Sequence, residues 1–326
     1  MLRRQVAMAV AMLAVATFPA AEALAQPTIK VGIIQSLTGQ LTAVGKQVMG
    51  GVNLYVQQHG DTVAGKKIEL IVKDDTTVPD VAKRIAQELI VNDKVDILTT
   101  GITPASFAIA PLASQAKTPA VIMVSGTSSA TERSPYMVRT SFTLGQQTGI
   151  MGEWAAKNGS KKVVIIQSDW APGAEASAVF TAFFTKAGGQ IAETIKVPLS
   201  NPDFAPFLER ARDLNPDTLF VFVPAGQAGT FAKQFVERGF DKAGIKLIGP
   251  GDITDDNDLA GMSDAMLGVV TAGHYSAYHQ SAMNKKYVED FKSADNLRPN
   301  FISVGGWDGP NGAARTNGLS SAGCAG

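Results

Sequence analysis

Two short segments, TGIT at 100–103 and SGTSS at 125–129, concentrate the backbone and hydroxyl groups that suit a small anion. Each follows a short apolar run without alternation, at 95–100 and 120–124, the pattern of parallel strands covered on both faces. In open α/β sheets a ligand sits outside the carboxyl ends of the strands. The two loops therefore predict a cradle built from Thr103, Ser125, Gly126, Thr127 and Ser128. Thr103 is placed to cap a helix whose first position is Pro104. The amides of Ala105 and Ser106 then face outward at the positive end of the helix dipole, where a carboxylate is favoured. The same residues also suffice merely to cap and tighten a turn, and the stretch alone leaves both roles open. Pro111 predicts either a kink or a helix that begins later.

The remaining reactive side chains form no catalytic pattern. The sequence has no G-x-S-x-G elbow, no phosphate-cradling G-x-x-x-x-G-K-S/T and no G-x-G-x-x-G. The histidines are His59, His274 and His279, and the last two, five apart, fall on different faces of a helix. Cys324 is the only cysteine, so no intrachain disulfide forms. Asp255, Asp256, Asn257 and Asp258 lack the spacing and glycine of a calcium loop and read as a cap or lead-in to a short helix. Binding rather than catalysis is expected, with no cofactor and no metal.

An internal repeat shows which elements must position the cradle. KVGIIQS at 30–36 reappears as KVVIIQS at 162–168. Pro79-Asp80 and Pro202-Asp203 each open a helical pattern, and VDIL at 95–98 is echoed by PDTLF at 216–220. Three echoes in one order, about 120–130 residues apart, predict two lobes of one plan. Strands and helices alternate in each, which gives a parallel sheet with helices on both faces. The expected class is α/β, two similar doubly wound lobes joined by a hinge. Lobe 1 is expected at 26–141 plus 279–309 and lobe 2 at 142–278. YMVRTS at 136–141 is the candidate first crossing, and 267–278 the return.

Composition narrows the partners. The chain has 29 basic and 29 acidic residues and is 45% apolar. Basic Arg3 and Arg4, an apolar core and Ala23-Leu24-Ala25 make residues 1–25 a cleavable leader, expected to be cut after Ala25. Without Arg3, Arg4 and Glu22 the balance is 27 against 28, a net charge of about −1. That offers no electrostatic footprint for nucleic acid or an anionic membrane. A periplasmic, monomeric, small-molecule binder is the expectation.

Several stretches then carry a family likeness: KVGIIQSLTG at 30–39, Gly45-Lys46-Gln47 with Gly50-Gly51-Val52, and VKDD at 72–75. SDWAPG at 168–173, NPDF at 201–204, IGPGD at 248–252 and Gly305-Gly306-Trp307-Asp308 complete the set. In this order and coverage the chain resembles the solute-binding proteins of ABC importers with the type I periplasmic-binding fold, in the branched-chain amino acid, amide and aromatic-acid group. The resemblance implies a ligand held between two lobes, hinge closure, and docking on an inner-membrane ABC permease. It also implies that lobe 2 contributes Trp170, Gln227 beside Gly226, and Asp252.

Departures from the amino-acid binders bear on the ligand. Those proteins place an acidic residue directly after the Gly-Pro matched by Gly249-Pro250, where it meets the ligand ammonium. Here Gly251 stands there and Asp252 follows one residue later. Aromatic positions of those binders carry Val44 and Gly226. A dry cleft that left an ammonium unpaired would lose several kcal/mol. An aromatic or other apolar carboxylic acid is thus the expected ligand, with a branched-chain amino acid held by Asp252 as the alternative, and a ligand-sensing receptor as the alternative role. The small, polar segment 310–326 reads as an irregular tail of an apparently shortened chain, because such a composition lacks the apolar residues of a packed core.

Overall fold

The buried apolar run at 28–35 becomes β1 (Thr28–Gln35), the centre of the first sheet in this computed structural model. The structure describes residues 27–316 apart from 201 and 260, so the expected leader at 1–25 and residues 317–326 lie outside the described residues. After β1 come α1 (Thr42–His59), β2 (Thr62–Val63), β3 (Lys66–Asp74), α2 (Pro79–Val91) and β4 (Ile97–Thr100). Then follow α3 (Thr103–Ala116), β5 (Ala120–Ile122) and β6 (Met137–Arg139). The sheet order is β2-β3-β1-β4-β5-β6. Every pairing in it is parallel except β2 with β3, whose turn places Ala64 at φ 49° and Gly65 at φ 77°, as a two-residue hairpin requires.

The plan repeats with α4 (Leu144–Lys157), β7 (Lys162–Ser168), α5 (Ala171–Lys186), β8 (Gln190–Val197) and α6 (Ala205–Asp213). It continues through β9 (Thr218–Phe222), α7 (Ala228–Glu237), β10 (Lys246–Pro250), α8 (Asp256–Leu259) and β11 (Val270–Ala272). These strands form a second, wholly parallel sheet in the order β11-β10-β9-β7-β8. Residues 30–36 and 162–168, the repeated heptapeptides, thus occupy equivalent interior strands. In the second sheet Ile165 lies opposite Phe220, and Phe180 of α5 stacks on Phe220 at 4.0 Å. Such buried aromatic pairs fix helix against sheet.

Two segments cross between the sheets among the described residues: 140–143, leaving β6 for α4, and 273–281, returning from β11 to α9 (Ala282–Asp295). The chain then enters α10 (Phe301–Thr316), which packs on α1 and β5. This corrects the expected irregular tail: residues 310–316 are helical, with Pro310 inside the helix and Ala313 buried. The physical reason is spacing. Gly305, Gly309 and Gly312 fall on one face of α10, and a Cβ at any of them would overlap Met123 or Thr140. Small residues that suggest a loop are here the condition for a helix to lie close against a sheet.

Candidate functional site

The carboxyl ends of both sheets face each other across a cleft lined by residues of both lobes, the place where small-molecule pockets commonly lie. Its first wall begins at α3. Ile102, not Thr103, is the N-cap, and no side chain caps the helix. Thr103 is the first helical residue, so its hydroxyl turns instead to Ser125 Oγ at 2.7 Å and Thr127 Oγ1 at 3.0 Å. This buried hydroxyl knot ties the loops after β4 and β5 together. The helix begins one residue earlier than expected and continues through Pro111.

The amides do not follow the sequence expectation in full. Ser106 N–H donates to Ile102 O at 3.0 Å, and Ser106 Oγ donates to the same carbonyl at 2.9 Å. Ser106 therefore serves the helix backbone, and the expectation of a free amide there is corrected. Ala105 belongs to the first turn, whose amides have no intrahelical acceptor.

Arg139, at the end of β6, supports the knot from behind. Its Nε donates to Ser125 O at 3.1 Å and its Nη2 to Thr127 O. Burial lowers the guanidinium pKa while the Glu175 carboxylate raises it. An arginine stays charged in a protein regardless, so a positive charge sits behind the cradle loops. Sequence reading passed over Arg139 as part of a crossing segment; its one signal was a lone cation within that short stretch.

The opposite wall comes from the second sheet. Trp170 precedes α5, and Phe222, Pro224 and Ala225 follow from the end of β9. Asp252 lies on a 3-10 turn, Gly251–Thr254, directly after β10. Phe142, Phe301, Leu41, Val44, Ile102 and Ile302 close the sides. Asp252 Oδ2 and Trp170 Nε1 are both buried without a hydrogen-bond partner among the described residues. Burial, helped by the Asp255 charge, raises the Asp252 pKa to about 7, against the pull of backbone N–H groups of Asp252 and Ala225. Asp255 is raised to about 6 by burial although Asn257 N–H and the Asn300 side chain donate to it.

Of the residues singled out in the sequence, Thr103, Ser125, Gly126, Trp170 and Asp252 line this cleft together. Thr127 lies behind them in the knot. Ser128 is not part of the lining: its N–H and hydroxyl donate to the Glu175 carboxylate of α5. Gln227 donates to Leu199 O at 2.8 Å and holds a loop of its own lobe. The acidic run after Asp252 works as structure, with Asp258 accepting from Gly226 N–H and Asp256 paired to Arg298 at 2.6 Å. Trp307 packs edge-on against Tyr55 and His59 and donates to Gln58, away from the cleft.

The cleft is closed. Gln47 of α1 donates to Asn257 Oδ1 at 2.9 Å, Gln40 to Ser200 Oγ at 2.6 Å, and Ser128 meets Glu175. The last contact bridges the cradle loop to the opposite lobe beside the start of α4. Glu175→Ala is expected to speed ligand release several-fold, since an exposed charge-assisted contact contributes about 1 kcal/mol. Stopped-flow fluorescence of Trp170 measures it, and an unchanged release rate rules the latch out.

A model of the periplasmic binding protein family matches residues 28–314. The chain belongs to that family. This periplasmic binding protein is similar to the Leu/Ile/Val-binding protein homolog 6 of Brucella melitensis biotype 1, with 37% identity over 306 residues, 92% of this chain and 78% of the relative. It is also similar to a solute-binding protein of an ABC transporter from Rhodopseudomonas palustris BisB5 solved in complex with 3,4-dihydroxybenzoic acid. That match has a TM-score of 0.87 and 58% identity, covering 90% of this chain and 82% of the other. A second R. palustris ABC-transporter solute-binding protein, solved with 4-hydroxybenzoate, matches with a TM-score of 0.84 and 35% identity, covering 90% and 82%. The periplasmic binding protein thus shares its two-lobed fold with solute-binding proteins solved in complex with hydroxylated benzoic acids.

Proposed function

We propose that this chain is the solute-binding component of an ABC importer and captures an aromatic carboxylic acid of the benzoate class between its lobes. The observation that carries the reading is the composition of the cleft wall. Phe142, Trp170, Phe222 and Phe301 offer apolar faces for a flat ring. At one end stands the Thr103–Ser125 hydroxyl pair, beside the α3 N-terminus and in front of Arg139, where a carboxylate is favoured. The 58% identity to a protein solved with 3,4-dihydroxybenzoic acid supports the same class. Delivery to an inner-membrane permease, a periplasmic location after leader removal and a monomeric state belong to this proposal.

A branched-chain amino acid is the competing ligand, favoured by the 37% identity to a Leu/Ile/Val-binding homologue. It requires an anion for the ammonium. Gly251 supplies none, and Asp252 is held largely neutral on the acidic side of pH 7 by its burial.

Thermal unfolding of residues 26–326 with a ligand panel separates the two. Ligand at roughly 1,000 times its dissociation constant adds about 4 kcal/mol to the folded state, a rise of roughly 8–16 °C for a protein of this class. The expected result is such a rise with benzoate-type acids and none with leucine, isoleucine or valine. The reverse pattern overturns the proposal.

A further inference from the structure

The hydroxyls of Thr103, Ser125 and Thr127 satisfy one another at the lobe 1 end of the cleft. On the opposite wall, two residues each keep one polar atom unused. Asp252 Oδ2 and Trp170 Nε1 are both buried, and neither has a partner among the described residues. A buried polar atom without a partner is rare in a folded protein and calls for an explanation. Both belong to residues that line the same cavity, so a bound ligand is the partner this geometry provides for.

Building on the aromatic-acid reading above, we propose that Asp252 and Trp170 form a hydroxyl-reading subsite, which orients the ring with its carboxylate toward Thr103 and Ser125. A phenolic hydroxyl has one hydrogen to give and lone pairs to accept with. It donates to Asp252 Oδ2 and accepts from the Trp170 indole N–H. An ammonium group has three donors and no acceptor, so it meets the indole N–H donor to donor. The pair therefore selects a hydroxyl over an ammonium as well as over a bare ring edge.

Placement of Asp252 also sets the direction of the ligand. Its carboxyl group repels a ligand carboxylate whenever it is ionised, whereas the Thr103 end offers hydroxyls, helix amides and the Arg139 charge behind them. The neutral form favoured by burial tolerates a phenol at its side without a buried uncompensated charge.

The test is isothermal titration of benzoate, 4-hydroxybenzoate and 3,4-dihydroxybenzoate into the wild-type chain, Asp252→Ala, Asp252→Asn and Trp170→Phe. The wild type is expected to prefer the hydroxylated acids over benzoate by about tenfold to a hundredfold. Asp252→Ala collapses that ratio toward one. Asp252→Asn, which keeps an acceptor of similar shape, retains most of it, and Trp170→Phe, which keeps the ring but loses the N–H, reduces it several-fold. If Asp252→Ala weakens all three acids by the same factor, Asp252 only shapes the cleft or receives the carboxylate itself, and the subsite is overturned. A wild type that binds all three equally overturns it too. If the wild type binds leucine and none of the three acids, the aromatic-acid reading fails, and the subsite falls with it. Should Asp252→Ala fail to fold, the Asn and Phe variants make the same comparison.

Discussion

Gly51→Val is expected to lower the melting temperature by roughly 6–12 °C, the shift that about 3 kcal/mol produces in a protein of this size. The cause lies in the seam between α1 and α10. A Cβ on Gly51 would stand 2.1 Å from Ser303 O and 2.7 Å from Trp307 N, both backbone atoms of the facing helix. The reciprocal contact is equally close, since a Cβ on Gly306 would stand 2.2 Å from Val48 O. No rotamer change relieves a clash with backbone, so the helices must separate and the surrounding side chains lose their contacts. Gly229→Ala in α7 is the matched control. Its added methyl would meet only Asp258, at ordinary contact distance, and it replaces a glycine in the first turn of α7. That change is expected to leave stability unchanged or raise it by up to about 1 kcal/mol. Circular dichroism melts measure both. A Gly51→Val melt within about 2 °C of wild type, less than 1 kcal/mol, would mean the seam yields freely and the close approach carries no weight.

The same glycines show where sequence reading succeeded and where it lacked information. Gly51 and Gly306 stand out as parts of a family likeness, yet nothing in either stretch says that they face one another. Only the pairing of α1 with α10, about 250 residues apart, explains them. The strands were legible because their unbroken apolar runs are what burial on both faces requires, as at β4, β5, β7 and β9. The two-lobed plan was legible because a repeat of short strands survives in the residues themselves. Residues 310–316 were misread because glycine and alanine look alike in a loop and in a close-packed helix.

For the site, the loops were legible and the walls were not. Thr103, Ser125 and Gly126 announce themselves as polar or flexible residues directly after buried strands. Phe142, Phe222 and Phe301 are ordinary core residue types, and whether a phenylalanine faces a core or a cleft is decided by elements far away in the chain. Glu175 is similar: a glutamate on a helix face, until closure brings it to Ser128. Asp252 was legible only as a residue displaced by one from an expected acid. Its environment, which decides whether it is an anion or a neutral hydrogen-bonding group, is a property of the folded cleft.

That environment makes the ligand-free protein more stable near pH 5 than near pH 8. Asp252 titrates at about 7 in the folded chain against an ordinary 3.8. Between those values the unfolded chain gives up the proton while the folded chain keeps it, so the unfolded state binds fewer protons and stability falls as pH rises. The effect is complete above about pH 7. Asp255 and Asp308, each raised to about 6 by burial, act in the same direction over a narrower window, with half-buried Asp308 contributing less. His274 opposes them. Burial against Phe142 lowers it to about 4, so stability is lost as pH falls from 6.5 toward 4. From pH 5 to pH 8 the carboxyl groups outweigh the single imidazole, for a net loss on the order of 2 kcal/mol and a fall in melting temperature of roughly 4–8 °C. Asp252→Asn, which cannot ionise, is expected to raise the melting temperature at pH 8 and to flatten the profile, while leaving pH 5 nearly unchanged. Melts at pH 5, 6.5 and 8 decide the point. A wild-type profile that is flat or rises toward pH 8, with Asp252→Asn destabilising at pH 8, would require an ionised Asp252 stabilised in the cleft. An ammonium-binding site needs that arrangement, so the same curve would move the ligand from the aromatic acids to the amino acids.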